Sequence, residues 1–295
     1  MIHPGEAVSS STPGLPPSEL IVRDVERALA EDLGPGDATA DLLAADALSH
    51  AELLCRETAV IAGRPWFDAC FLHLDPECRI EWLVDEGQRV GAGTLLCRVS
   101  GQARALVSAE RTALNFLQTL SGTATCTAQH VAALAGSRTR ILDTRKTLPG
   151  LRLAQKYAVR CGGGCNHRIG LYDAILIKEN HIAAAGSLTA AVQAARARHP
   201  DLLLEVEVET MDELEQALAA GVDRVMLDEF SPQRMREAVA LAAGRVELEV
   251  SGSVDLQALA SIAHLGVDYI SVGAITKHVQ AVDLSFRLVT KAGGE

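Results

Sequence analysis

In the second half of the chain, residues able to do chemistry recur at one kind of position. Short apolar runs end in Arg145 and Lys146, in Lys178, in Glu207 and Glu209, and in Asp228 and Glu229. The last two end in the small tips Ser251-Gly252-Ser253 and Val272-Gly273-Ala274. A charged group at the end of an apolar strand is partly desolvated, which costs free energy unless a partner or ligand meets it. Six tips behaving alike point to a site. From Asp143 to Glu179 there are seven Lys and Arg against three Asp and Glu, in a chain of formal net charge −11. A positive mouth on an acidic body favours a small, multiply anionic substrate. The acids that follow suit Mg²⁺ or sugar hydroxyls. The small tips let backbone N–H groups approach a phosphate. Sequence order alone thus describes a site for a phosphosugar and a second acid.

Elements must hold these tips. The runs 140–146, 173–180, 202–209, 224–230, 246–253 and 269–275 are β-branched and apolar, and helical spacing follows each of the first five. Ser, Thr, Pro or Asp opens most of the helical segments and Gly closes several, as caps and stops do. Alternating strands and helices imply a parallel sheet. Functional residues at every strand C-terminus predict a TIM-like barrel. A doubly wound sheet is the other solution, but no G-x-G-x-x-G follows a first strand.

The first hundred residues follow another rhythm. "SELIVRDVERALAEDLG" predicts a helix stopped by Gly34, and "AELLCRETAVIAG" and "RIEWLVDEGQRVGAGTLLCRVSG" predict strands with Gly-rich turns. The second has the cadence of a lipoyl-type hairpin, yet no Lys precedes Lys146, so no acceptor lysine exists there. Residues 108–136 predict a long helical stretch with a break at Gly122. The expected organisation is a tail over 1–18, an N-terminal α/β sandwich domain over 19–117, an α/β barrel over 118–280, and a C-terminal segment over 281–295 that packs back on the sandwich.

Composition narrows the class. Aromatics are only 3 % of 295 residues, so the core is aliphatic. The acidic balance argues against nucleic acid, no stretch is long and apolar enough to span a membrane, and the N-terminus lacks a signal peptide's basic and apolar regions. Seven scattered Cys predict reduced thiols and a cytoplasmic protein. Two of them sit in "RCGGGCNHR", 160–168. No second Cys/His cluster stands nearby to complete a zinc site, and C-x₃-C is not the redox spacing. The glycines instead form a hinge that delivers Asn166, His167 and Arg168 to the mouth.

The block "DTRKTLPGLRLAQKYAVRCGGGCNHRIGLYDAILIKENHI" (143–182) closely resembles the signature of the quinolinate phosphoribosyltransferases, the carboxylating nicotinate-nucleotide pyrophosphorylases. "SAERTALNFLQTLSG", "EVEVE", "VMLDEF", "LEVSGSV" and "ISVGAITKHV" extend the likeness over nearly everything after the tail. It implies an α/β sandwich domain followed by an incomplete barrel of fewer than eight strands. It also implies Mg²⁺-dependent transfer of phosphoribose from phosphoribosyl pyrophosphate to quinolinate with loss of CO₂. The assembly implied is a homodimer, or a multiple of dimers, with shared active sites. Matched residue by residue, quinolinate is met by Thr144, Arg145, His167, Arg168 and Lys178, with Arg111 from the neighbouring subunit. Phosphoribosyl pyrophosphate and Mg²⁺ are met by Lys146, Glu207 and Asp228. Ser251, Gly252 and Ser253, and Val272, Gly273 and Ala274, hold the 5′-phosphate. Catalysis falls to Lys146, Lys178, Glu207 and Asp228. The chain departs from the pattern at Glu229, where the family usually has Asn, and at Ser253, where Gly or Asn is more common. Read from residues alone, two alternatives stay open: a Schiff-base lyase built on Lys178, and a phosphosugar-binding protein without turnover. A pyridine phosphoribosyltransferase acting on a different acid is the nearer rival.

Overall fold

The computed structural model describes residues 14–252 and 256–289. Most of the expected tail, Ser253 and the last residues of the C-terminal segment lie outside that range. The chain divides into two compact units. The first takes the described residues up to Thr125, then Leu153–Gly162, then the residues from Val279; the second takes Cys126–Arg152 and Gly163–His278.

In the first unit, α1 (Ser18–Leu33) buries Ile21, Val25 and Leu29 along one stripe and stops at Gly34, whose φ of 50° suits glycine. Strands β1 (Leu48–Cys55), β3 (Arg79–Trp82), β5 (Leu95–Gln102) and β12 (Leu284–Leu288) form an antiparallel sheet in the order β12-β1-β5-β3. A small ladder joins β2 (Ala59–Val60) to β4 (Arg89–Val90). Aromatic rings knit α2 (Arg64–Leu74) into the core: Phe67 lies 5.3 Å from Trp82, and Phe71 lies 5.6 Å from Phe286. Trp66 meets Tyr157 of α4 (Arg152–Cys161) at 5.7 Å.

The break expected at Gly122 does not occur. Helix α3 runs unbroken through Ala103–Ala133, across the boundary expected at 117/118. Gly122 serves close approach instead. A Cβ there would stand 2.1 Å from the carbonyl oxygen of Gln280, so only glycine lets that segment lie against the helix.

The second unit is built on six parallel strands: β6 (Arg140–Leu142), β7 (Ala174–Ile177), β8 (Leu203–Val208), β9 (Arg224–Asp228), β10 (Glu247–Ser251) and β11 (Tyr269–Ser271). Their order is β6-β11-β10-β9-β8-β7, so the first and last strands in sequence are neighbours, as in a barrel, and only β6 and β7 do not pair. Helices α6 (Leu188–Arg198), α7 (Met211–Ala220) and α8 (Pro232–Ala242) start at Ser187, Thr210 and Ser231, whose hydroxyls accept backbone N–H groups. A short helix not expected from the sequence, α5 (Glu179–Ala185), follows β7 directly. Helices α9 (Leu256–Ile262) and α10 (Ala274–Lys277) complete the unit. This is an incomplete barrel.

The gap between β6 and β7 is where the glycine hinge lands. Cys165 makes a single parallel bridge to Leu142: its N–H donates to Ile141 O at 2.8 Å, and its carbonyl accepts from Asp143 N at 3.1 Å. Gly163, with φ 84°, turns the chain into that position. One residue therefore stands in for a strand beside β6.

Candidate active site

Beyond Cys165 the loop is held by carboxylates. Asp143, fully buried, accepts the Asn166 side-chain amide at 2.7 Å and the His167 N–H at 2.8 Å. Asp173 accepts the N–H groups of Ile169 and Gly170 at 2.7 and 2.8 Å. His167 and Arg168 lie between these two clamps. Backbone N–H donors satisfy a carboxylate well, so the loop is fixed where it would otherwise be free.

The loop and the strand tips enclose a cavity of about 180 Å³. Thr144, Arg145 and Lys146 from the end of β6, His167 and Arg168 from the loop, and Lys178 after β7 supply its basic wall. Glu207 of β8 and Ser251 of β10 line it as well. Leu176 and Met226 give it an apolar side, and Glu249 and Ser271 lie deeper. Eight expected residues of the barrel thus meet at one mouth: Thr144, Arg145, Lys146, His167, Arg168, Lys178, Glu207 and Ser251.

The guanidinium groups are poised for an anion. Burial, then the neighbouring Arg145 charge, pushes the Arg168 guanidinium below its usual range. The Nε of Arg145 is buried with no hydrogen-bond partner. An orphaned buried cationic donor is expensive and rare in native structure unless an acceptor arrives. Thr144 Oγ1 accepts the Lys146 N–H at 3.0 Å, and Thr276 Oγ1 donates to the Lys146 carbonyl at 2.8 Å, so the tip of β6 is pinned from both sides.

Lys178 forms a tight ion pair with Glu207. An ammonium held by a carboxylate has no lone pair with which to attack a carbonyl, which disfavours the Schiff-base reading. Glu207 and Met226 pair in register across β8 and β9. Asp228, two residues beyond Met226, shares that face, and it pairs in turn with Ser251 of β10. Two hard carboxylates on adjacent strand ends fit Mg²⁺, which takes one or two carboxylates and completes its shell with substrate phosphates and water.

The two small tips are built for close approach. At Gly273 a Cβ would fall 2.9 Å from Lys146 Cδ. Gly252 has φ 143°, and a Cβ there would meet Glu229 Oε1 at 3.2 Å. Ser253 lies outside the described residues. Glu229 itself holds φ 51°, the left-handed region that Asn tolerates best among side chains of this size. Its departure from the family's Asn therefore falls at a backbone position, and its side chain is exposed and outside the cavity lining. Glu209 is also exposed; its N–H donates to Glu213 at the start of α7, so it belongs to a helix cap. Arg111 is exposed on α3, in the first unit.

Sequence reasoning missed Glu205 and Glu249, both almost fully buried. The alternation in "EVEVE" carried a signal, since residues two apart on a strand share a face, but period two does not say which face is inside. Burial pushes both carboxyls upward, and for Glu249 the Glu205 charge adds to it. Among the described residues the seven cysteines are all free thiols, and no helix is long and apolar enough to cross a membrane.

Two family models match the chain. Residues 37–121 match the N-terminal domain of quinolinate phosphoribosyl transferase and residues 123–287 its C-terminal domain. A probable nicotinate-nucleotide pyrophosphorylase (carboxylating) of Synechocystis is 43 % identical over 279 residues, covering 93 % of this chain and 95 % of that protein. The chloroplastic nicotinate-nucleotide pyrophosphorylase (carboxylating) of Arabidopsis thaliana is 38 % identical, covering 97 % and 88 %. The solved nicotinate-nucleotide pyrophosphorylase of Francisella tularensis superposes with a TM-score of 0.92 at 47 % identity, covering 95 % of this chain and 100 % of that one. The chain belongs to the quinolinate phosphoribosyltransferase family.

Proposed function

We propose that this chain transfers the phosphoribosyl group of 5-phosphoribosyl 1-pyrophosphate to quinolinate, releasing pyrophosphate and CO₂ and forming nicotinate mononucleotide for NAD synthesis. The observation that carries this is the pair of guanidinium groups, Arg145 with its buried unpaired Nε and Arg168, on the wall of one cavity beside Lys178. Adjacent carboxylates on a flat pyridine call for planar, forked donors of this kind.

In this reading Arg145, Arg168, Thr144, His167 and Lys178 bind and orient quinolinate. Lys146, Glu207 and Asp228 face phosphoribosyl pyrophosphate, with Mg²⁺ held by the two carboxylates. Bound there, Mg²⁺ would screen the negative charge of the pyrophosphate oxygens. Gly252 with Ser251 and Ser253, and Gly273 with Val272 and Ala274, cradle the 5′-phosphate. Displacement at the anomeric carbon develops positive charge on the ribose, which a nearby carboxylate such as Glu207 stabilises. Once the ring nitrogen is alkylated, its positive charge stabilises the electron pair left on the ring carbon when its bond to the carboxylate breaks and CO₂ leaves, and that carbon then takes a proton from water. The protein's task is then positioning and charge neutralisation.

A second copy of the chain supplies Arg111, which makes the working unit a homodimer or a multiple of it. The free thiols fit a reducing compartment, and we place the enzyme in the cytoplasm. The decisive experiment is an assay of purified protein with quinolinate, phosphoribosyl pyrophosphate and Mg²⁺. Nicotinate mononucleotide and pyrophosphate are expected in equal amounts. Turnover with nicotinate and none with quinolinate would reassign the substrate, and no turnover with either would sink the activity.

A further inference from the structure

Beneath the cavity, two carboxyl groups that have no part in the chemistry just described lie against His167. Glu205 is 1 % exposed, Glu249 0 % and His167 9 %. His167 Nε2 lies 3.0 Å from Glu205 Oε2 and 3.5 Å from Glu249 Oε2. Arg224 approaches Glu249 Oε2 at 3.6 Å and binds the more exposed Glu247 at 2.8 Å. One imidazole and two carboxylates, with one atom from each within 4.8 Å of the others, have the composition of a cation site.

The other ring nitrogen argues against a cation. His167 Nδ1 accepts the main-chain N–H of Arg168 at 2.7 Å. An accepting Nδ1 carries no proton, so the neutral ring carries it on Nε2. A protonated Nε2 has no lone pair for a metal. A metal-bound imidazole needs its second nitrogen as a donor, and here that nitrogen would face another N–H. What remains is an N–H presented to two buried carboxyl groups. The same residue is tied at its backbone, where its N–H donates to Asp143. Every polar atom of His167 named here thus fixes the peptide that leads into Arg168.

We propose that Glu205 and Glu249 are positioning residues that hold His167 in its Nε2–H tautomer, and that His167 in turn sets the backbone from which Arg168 reaches the cavity. The proposal rests on the reading of that cavity as a dicarboxylate site. A forked donor loses much of its value when its base shifts by a fraction of an ångström, so a rigid support beneath Arg168 acts on substrate affinity.

The test starts with nitrogen NMR of ligand-free protein labelled with ¹⁵N-histidine, with His167 assigned by its loss in His167→Asn. A pyridine-type Nδ1 and a pyrrole-type Nε2 are expected, unmoved by added Zn²⁺ or Mn²⁺ at equimolar metal. Glu249→Gln keeps an acceptor and should keep this pattern. Glu205→Leu removes one and should mix the tautomers. The same variant should raise the quinolinate KM about tenfold or more while kcat and the KM for phosphoribosyl pyrophosphate stay within about twofold, the signature of lost binding alone. A pyridine-type Nε2 in the unaltered protein, a cation-induced shift at His167, or an unchanged quinolinate KM with the tautomer lost would each overturn the proposal. The unaltered protein's spectrum decides the tautomer even if Glu205→Leu does not fold. Failure to turn over quinolinate would instead strike the function and leave that spectrum standing.

Discussion

The two units differ in the buried polar groups that they leave open. In the first, Glu86 accepts the N–H groups of Gly63 and Arg64 at 2.5 and 3.2 Å, at the start of α2. Asp75 accepts those of Glu77 and Gln102 at 3.1 and 2.9 Å, and Asp68 accepts the Trp82 indole at 2.8 Å. Each has donors from its own fold; the Tyr157 hydroxyl is the one buried side-chain atom of that unit, among those described, that lacks a hydrogen-bond partner. In the second unit Arg145 Nε is buried with no hydrogen-bond partner, and the carboxyl groups of Glu205 and Glu249 crowd one imidazole, His167 Nε2, at 3.0 and 3.5 Å. Polar burial closed by local donors serves the fold, whereas polar burial left open marks the place that waits for a ligand or shares a proton. The contrast separates scaffold from site without reference to any relative.

The contrast can be broken by exchanging costs between the units. The largest effect should come from Arg145→Ala: kcat/KM for quinolinate should fall about 10²- to 10³-fold, since truncating a charge-assisted donor to a buried anion costs about 2–5 kcal/mol. The melting temperature should hold or rise, because an unpaired buried donor is removed. A marked loss of stability would mean that Arg145 is scaffold. Glu86→Ala should do the reverse. It strips acceptors from two N–H groups at a helix start and should cost about 1–3 kcal/mol in denaturant unfolding. Steady-state activity well below the melting point should remain within about twofold. The smallest effect is expected at Glu229→Asn, which relieves left-handed strain and should raise stability by about 0.5–1 kcal/mol. A drop would show that the Glu229 side chain carries a role of its own.

The strand–helix alternation was legible because each element carries its own period and its own caps: Ser187, Thr210 and Ser231 announce three helices before any tertiary contact is known. The tips were legible because charge is out of place at the end of an apolar run. Gly122 was misread because a glycine in a helix has the same sequence signal whether it breaks the helix or admits another chain segment. Glu205 was passed over for Glu207 and Glu209, since alternation fixes which residues share a face but not which neighbours lie beneath it. Glu209 then proved to belong to the cap of the next helix.

By itself, the sequence determined the class of each segment, the sign of the mouth, and the residues that reach it from β6, the hinge loop, β7 and β8. Those properties are local, set by backbone preference and by the cost of desolvating charge within a few residues. Only the tertiary structure decided that Cys165 stands in for a strand beside β6, that Gln280 presses on Gly122, and that His167 turns its ring toward Glu205 and Glu249. These join residues roughly 20 to 160 positions apart in the chain. No local pattern encodes such meetings, because they arise when packed elements compete for the same buried space.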